Sequence, residues 1–309
     1  MAKLKIVFAG TPDVAVPVLK TLTESAHEVV GVVTREDAPL GRKRVLTASP
    51  VASFAQEAGL KTIKANRLDA DTTEQIAELG ADIGVVVAYG GLLKTDLLTA
   101  PRLGWINLHF SALPKWRGAA PVQRALMAGE TEIGGTIFRL VEELDAGAVV
   151  HSFTYSVTPG ESAGEVLTAM ALRGGTEMLA ALEQLAENPN AGDPQDGEVS
   201  YAHKLTREDG RLDLTKSAAQ VLAQWAGVTP EPGAFVQTAE QPLKIIRIAP
   251  VENSDIEPPV GEFALLGKKV FLGVSAGVLE VLEVQPAGKT KMLAADWLRG
   301  KGGRLTADG

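Results

Sequence analysis

A chain of 309 residues with 45% apolar content can build a real core, and two domains are favoured over one because single cores stop growing near ~250 residues. The absence of cysteine excludes disulfides, thiol catalysis and thiolate metal sites and points to a reducing interior. A net charge of −8 argues against indiscriminate binding to nucleic acid. The excess acid lies in residues 1–200, with 17 Lys and Arg against 25 Asp and Glu, whereas residues 201–309 carry 13 of each. A balanced tail permits a basic face. The four histidines, 27, 109, 151 and 203, lack ligand-like spacing, so no protein-bound metal is expected. Met-Ala-Lys-Leu-Lys leads straight into a core-type strand, and no apolar run reaches ~18 residues, so a cytoplasmic protein without a membrane span is expected.

Leu4 to Ala9 is a compact apolar run that predicts a first buried strand. In Gly10-Thr11-Pro12-Asp13, Thr11 suits a helix N-cap with Pro12 at the first helical position. Only Gly10 is present where a dinucleotide site needs three spaced glycines, which disfavours a nicotinamide cofactor. Val29 to Thr34 predicts a second strand, and residues 35–50 a long loop with three consecutive cations, Arg42, Lys43 and Arg44. That cluster is either a solvated loop or a contact for a phosphate-bearing partner. Ser49-Pro50 opens a helix that Gly59 ends, and a short strand near Lys61 to Lys64 and a helix near Thr73 to Leu79 follow. Asp82 to Ala88 is a Val-rich strand, and Tyr89-Gly90-Gly91 beyond it is either a plain turn or a loop that lets a ligand approach the backbone.

Trp105 to Phe110 reads as a strand of a buried parallel sheet, yet it carries two polar residues. Asn107 and His109 are two apart, so both side chains leave the same face. At the carboxyl end of a strand that face meets the crevice where ligands bind in open α/β sheets. Ser111, Ala112, Leu113 and Pro114 form the loop beyond. A helix near Ala120 to Ala128, strands at Gly135 to Val141 and Val149 to Val157, and a long helix from Ser162 to Leu185 complete the alternation. An acidic turn, Glu142 to Gly147, separates those two strands. The pattern predicts an α/β, doubly wound, mostly parallel sheet over residues 1–188. Residues 189–204 are a linker by composition. Over residues 205–309 one helix near Ser217 to Trp225 and short strands near Leu243 to Ala249, Gly261 to Leu266, Val270 to Leu272 and Leu279 to Val284 predict a small β-barrel, with an oligonucleotide-binding type one candidate among several.

Gly10-Thr11-Pro12, AYG at Ala88 to Gly90, NLHFSALPKWRGAAP at Asn107 to Pro121, LDAG at Leu144 to Gly147, YAHKLTREDGRLDL from Tyr201, TPEPGAF from Thr229 and VQPAGK from Val284 occur in this order. Together they closely resemble the methionyl-tRNA formyltransferase family over nearly the whole chain. The resemblance implies a Rossmann-like formyltransferase domain and formyl transfer from 10-formyltetrahydrofolate, without a metal, to the methionine amino group of initiator methionyl-tRNA. It implies Asn107, His109 and Asp145 as catalytic residues, and Ala88, Tyr89, Gly90 and Ser111 to Pro114 as the folate-contacting segments. The loop with Arg42 and its neighbours Lys43 and Arg44, and the C-terminal barrel, would meet the tRNA, with the protein a monomer and neither DNA nor a membrane as partner. Three positions depart from the family pattern: Glu143 stands where Gly is usual, Ala146 where Thr is frequent, and Ala226 where Arg is common. The first two flank Asp145, and the third removes a candidate phosphate contact.

The implied chemistry places negative charge on the formyl oxygen as the amine attacks. An amide donor such as Asn107 suits that oxygen, and losing one such donor costs about 3–4 kcal/mol. The attacking amine, with a pKa of only ~7.7, is held neutral at pH 7 for about 1 kcal/mol, so oxyanion stabilisation is the larger effect. His109 can take and give the protons that must move, and a carboxylate beside it, Asp145, would orient the ring and favour its charged form. Standing alone, Asp145 could instead cap the turn at Gly147. A glycinamide-ribonucleotide or nucleotide-sugar formyltransferase would share the polar trio but would not need the linker and barrel. A non-enzymatic folate or RNA-binding protein would not need the trio.

Overall fold

The structure is a computed structural model that describes residues 3–41, 43–251 and 256–308; Arg42, the first cation of the cluster, lies outside them. Contacts divide the chain into two compact units, one of Met1–Gly118, Gly134–Tyr155 and Leu167–Tyr201, the other of Ala119–Ile133, Ser156–Val166 and Ala202–Gly309. In chain order the elements are β1 (Lys5–Gly10), α1 (Val16–Thr23), β2 (Glu28–Thr34), β3 (Ala38–Leu40), β4 (Val45–Thr47), α2 (Pro50–Glu57), β5 (Thr62–Lys64), α3 (Ala70–Ala77), β6 (Ile83–Val87), α4 (Thr95–Leu98), β7 (Trp105–His109) and β8 (Arg117–Gly118). There follow α5 (Pro121–Met127), β9 (Glu132–Arg139), β10 (Val149–Ser156), α6 (Ala163–Glu187) and β11 (Tyr201–Ala202).

Seven strands of the first unit form one sheet in the order β10-β9-β7-β6-β1-β2-β5. The five from β7 to β5 are parallel, and β9 joins β7 antiparallel, so the expected doubly wound, mostly parallel sheet is present. The chain builds outward from β1 through β2 to β5, then returns to the other side through β6 and β7. That reversal opens a crevice beyond the carboxyl ends of β1 and β6, where α/β folds bind ligands. Both faces are covered. On one, Val7, Ala9, Val33, Val86 and Trp105 pack with Ile76 of α3 and Leu97 of α4. On the other, Gly174 of α6 lies against Leu108 and Gly175 against Thr21 of α1. Burying each large apolar side chain in these layers stabilises the fold by about 1.5–3 kcal/mol.

Ser49 caps α2 as expected, its hydroxyl accepting from Ala52 N at 3.0 Å. Thr11 does not cap: a 3-10 turn at Asp13–Ala15 precedes α1 without any side-chain cap, and the Thr11 hydroxyl donates to Tyr89 O at 3.1 Å. The loop expected over residues 35–50 contains an antiparallel hairpin, β3 with β4, whose strands of three residues are too short to show a period.

In the second unit α7 (Ala218–Val228) opens on a capping box between Ser217 and Gln220. It is followed by β12 (Phe235–Thr238), β13 (Pro242–Pro250), β14 (Glu262–Leu266), β15 (Lys269–Gly273), β16 (Val278–Pro286), β17 (Met292–Leu293), α8 (Ala294–Arg299) and β18 (Arg304–Asp308). The order β13-β12-β18-β14-β15-β16 closes on itself through an antiparallel β13–β16 pairing, giving a six-stranded barrel with no open edge in the cycle. Trp225 of α7 is buried and donates its indole N–H to Ile245 O at 3.1 Å. The sequence predicted four of the six strands. It missed β12, which follows two prolines and a glycine, and β18, which has only two apolar residues in five.

Candidate active site

Strand β7 pairs Asn107 with Val86 on β6 and with Phe138 on β9, and His109 with Thr136. Trp105, Asn107 and His109 therefore share the α3–α4 face. Trp105 is in the core, its indole donating to Leu97 O at 2.7 Å, and the next two odd positions carry the same face out to the crevice end. Asn107 is half-buried, and its amide makes no hydrogen bond to a described residue. His109 is 7% exposed and meets Phe138 edge to face at 6.4 Å. Its Nε2 lies 2.8 Å from the Trp116 carbonyl oxygen. A carbonyl only accepts, so Nε2 carries the proton and Nδ1 is left as the basic nitrogen.

Nδ1 faces Asp145 Oδ2 at 3.9 Å, beyond hydrogen-bond distance and a charge pair only once the ring is protonated. The structure thus brings together the imidazole and the carboxylate, 36 residues apart in sequence. The carboxylate is itself held, accepting from Gly118 N at 2.8 Å. Asp145 has φ of 49°, the left-handed region, and Gly147 follows because a Cβ there would stand 1.7 Å from Arg139 O. Burial pushes the His109 imidazole down, Asp145 and the Trp116 carbonyl push it back, and burial wins, so the pKa lies below its ordinary value of 6.5. The sequence reading had the carboxylate favouring the charged ring. The desolvation of a nearly enclosed side chain outweighs it, and the neutral imidazole prevails at pH 7.

The loop beyond β7 is fixed from β9. Thr136 donates its hydroxyl to Ser111 O at 2.7 Å and accepts from Leu113 N at 3.2 Å, while Gly134 lets the Ala112 backbone pass where a Cβ would lie 2.4 Å from its nitrogen. Leu113–Pro114 is a cis peptide, and the Ser111 hydroxyl donates to Lys115 O at 2.6 Å. At the end of β6, Ala88 and Gly90 have positive φ, and Arg35 reaches the Tyr89 and Gly90 carbonyls. The Tyr89 side chain turns into the core, its hydroxyl donating to Ala65 O at 2.8 Å, so what Tyr89 presents at the lip is backbone. Lys43 and Arg44 lie at the turn of the β3–β4 hairpin, exposed and in no ion pair with a described residue. Of the departures from the family pattern, Glu143 pairs with Arg117 at 2.9 Å, Ala146 is half-buried and Ala226 is buried in α7. Trp116, Thr136 and Gln195 also touch the site or its supports, and sequence reasoning missed all three because they act through, or upon, backbone groups.

Among the described residues no helix is long and apolar enough to cross a membrane, and no group of three or more His, Cys, Asp or Glu could hold a metal ion. Residues 3–182 match the family described as Formyl transferase, and residues 204–302 its C-terminal domain. The methionyl-tRNA formyltransferase of Clavibacter sepedonicus is 49% identical over 96% of this chain and 97% of its own. At the level of fold, HypX from Aquifex aeolicus in complex with tetrahydrofolic acid aligns with TM-score 0.64 at 19% identity, over 96% of this chain and 47% of that one. Methionyl-tRNA formyltransferase from Clostridium thermocellum aligns with TM-score 0.58 at 12% identity, over 81% and 95%. On the sequence likeness across nearly its full length, the chain belongs to the methionyl-tRNA formyltransferase family.

Proposed function

We propose that this protein transfers the formyl group of 10-formyltetrahydrofolate to the methionine amino group of initiator methionyl-tRNA, for translation initiation. The observation that supports the site assignment is the contact of His109 with Asp145 at the crevice end of β7, with Asn107 two residues back on the same face of the strand. The donor set suits such a substrate: a half-buried amide with no hydrogen bond to a described residue, a basic ring nitrogen and two loops at the strand ends, Ala88 to Gly90 and Ser111 to Pro114. When bound, 10-formyltetrahydrofolate supplies the formyl carbon that the amine attacks.

In this reading Asn107 donates to the formyl oxygen as negative charge develops there. His109 accepts a proton at Nδ1 from the attacking amine and can return it to the leaving nitrogen. The Trp116 carbonyl fixes the tautomer that makes this possible. Asp145 acts after the proton arrives: the imidazolium then points a donor and a positive charge at a carboxylate held by Gly118. A low resting pKa and a nearby carboxylate are complementary here, since the ring must be neutral first and charged second.

Catalysis in residues 1–188, connection by 189–204 and tRNA binding by 205–309 form the division of labour we infer, with Arg42, Lys43 and Arg44 as further contacts to the acceptor end. We place the protein in the cytoplasm as a monomer. Labelled 10-formyltetrahydrofolate, offered with methionine-charged initiator and elongator tRNA, tests the reading. Formyl should pass to the initiator form in preference. Donor binding without transfer to either tRNA would overturn it.

A further inference from the structure

We propose that Gln195, in the stretch the sequence presents as a linker, is a positioning residue that sets the Asp145 carboxylate against His109; the inference rests on the function proposed above. The composition of residues 188–196 predicts a free connection, but these residues are bound along the first unit. Arg139 donates to Ala191 O at 2.9 Å and, through its Nη2, to Pro189 O at 2.5 Å, while Asp193 and Val149 exchange backbone hydrogen bonds at 2.9 and 2.8 Å. The strap so formed brings Gln195 beneath the acidic turn.

There its side-chain amide is fully used. Its oxygen accepts from Arg117 Nη2 at 2.7 Å, and its nitrogen donates to Asp145 O at 2.7 Å and to Gly147 O at 3.0 Å. Only this orientation works, because the guanidinium can only donate and both carbonyls can only accept. Arg117 is a buried anchor: it is 7% exposed, and its Nη1 pairs with Glu143 at 2.9 Å. Glu143, one of the three departures from the family pattern, turns its carboxylate to Arg117.

The turn needs such support. Asp145 sits at φ 49°, and strained residues persist only where their surroundings fix them. Gly147 is pressed on Arg139 O, so the turn can relax only by moving outward. Gln195 ties the carbonyls of Asp145 and Gly147 to Arg117, whose neighbour Gly118 holds the Asp145 carboxylate. Removing the amide frees two buried carbonyls and lets the carboxylate drift from the imidazole.

The test compares Gln195→Ala and Gln195→Glu in the full chain, measuring kcat, KM for each substrate, thermal midpoint and, for the alanine variant, the pH dependence of kcat/KM. Misplacement on the order of 1 Å should lower kcat on the order of 10- to 100-fold with KM for the tRNA unchanged. In Gln195→Ala the acid limb should move to lower pH, because His109 loses the partner that raises its pKa. Glutamate still pairs with Arg117 but cannot donate to the carbonyls, so it should do no better than alanine. Wild-type kcat in both variants, wild-type kcat in Gln195→Glu alone, or a loss that follows only the thermal midpoint with the acid limb unmoved would each overturn the inference. Failure of the wild-type protein to formylate methionyl-tRNA would instead sink the functional reading beneath it.

Discussion

His109 on β7 and His151 on β10 each face a carboxylate within the same unit, and the tighter pair is not the one at the crevice. His151 Nε2 lies 2.7 Å from Glu177 Oε2 on α6, whose other oxygen takes Arg173 Nε at 2.9 Å. Burial pushes the Glu177 carboxyl up, but the hydrogen bonds from His151 and Arg173 outweigh it and hold its pKa below the ordinary value. Arg173 also donates to Thr154 O and stacks over Phe153. Both Glu177 oxygens are taken, so the cluster fastens α6 to the sheet. At His109 the contact is 3.9 Å, and among the described residues neither its basic nitrogen nor the amide of Asn107 has a hydrogen-bond partner. Slack in polar pairing, more than proximity of charge, distinguishes a site poised to react from one that is finished.

The comparison is broken most directly by removing the unpaired groups. His109→Ala should lower kcat on the order of 10²- to 10⁴-fold, the usual worth of a positioned acid–base. Asn107→Ala should lower it on the order of 10²- to 10³-fold through the lost donor to the oxyanion. Single-turnover formylation of initiator methionyl-tRNA measures both, and near-wild-type turnover in either would take that residue out of the mechanism. Asp145→Ala should cost less than His109→Ala, since the carboxylate acts through the ring.

A smaller effect tests whether the acidic turn is set by packing. Gly147→Ala puts a methyl against Arg139 O and should destabilise the chain by about 1–3 kcal/mol in denaturant unfolding, with activity lost as well because the turn carries Asp145. Full activity and an unchanged midpoint would mean that the turn is free to move.

Much of this contrast was legible before any coordinates. Two polar residues at a spacing of two in an apolar strand marked the crevice face of β7, and Ser49 before Pro50 marked a helix start. Asp145 is different. Nothing local separates a catalytic Asp from a turn-capping one, and only the family resemblance tied it to His109 across 36 residues. That burial would overrule its charge effect on the ring depends on tertiary enclosure, which composition does not encode. Gln195 had no signal at all, because its partners are two backbone carbonyls and an arginine 78 positions away. The β3–β4 hairpin was hidden by brevity, since strands of three residues show no period, and β18 by having only two apolar residues in five.

Acid sharpens the contrast at a lower energy. His109 has a folded pKa below its unfolded value, so between the two the unfolded chain binds more protons, and stability falls as pH drops below about 6.5. Burial lowers His27 as well, against a weaker opposing effect of Glu183, and adds a contribution of the same sign. The thermal midpoint should therefore fall from pH 7.5 to 5.5. His109→Gln should flatten that slope without abolishing it, and an unchanged slope would mean that the ring is not held neutral in the fold.

The smallest effect belongs to the finished pair. His151→Ala removes one hydrogen bond to Glu177, yet Arg173 stays to hold the carboxylate, and the pair is partly exposed, with side-chain accessibilities of 23% and 19%. Screening and the surviving arginine limit the loss to about 0.5–1 kcal/mol in denaturant unfolding. Formylation kinetics should match the wild type, because the cluster ties α6 to β10 and both Glu177 oxygens are already engaged. A kcat loss comparable to that of His109→Ala would place reacting groups at β10, and unpaired polar atoms would cease to be a guide to where this chain does its chemistry.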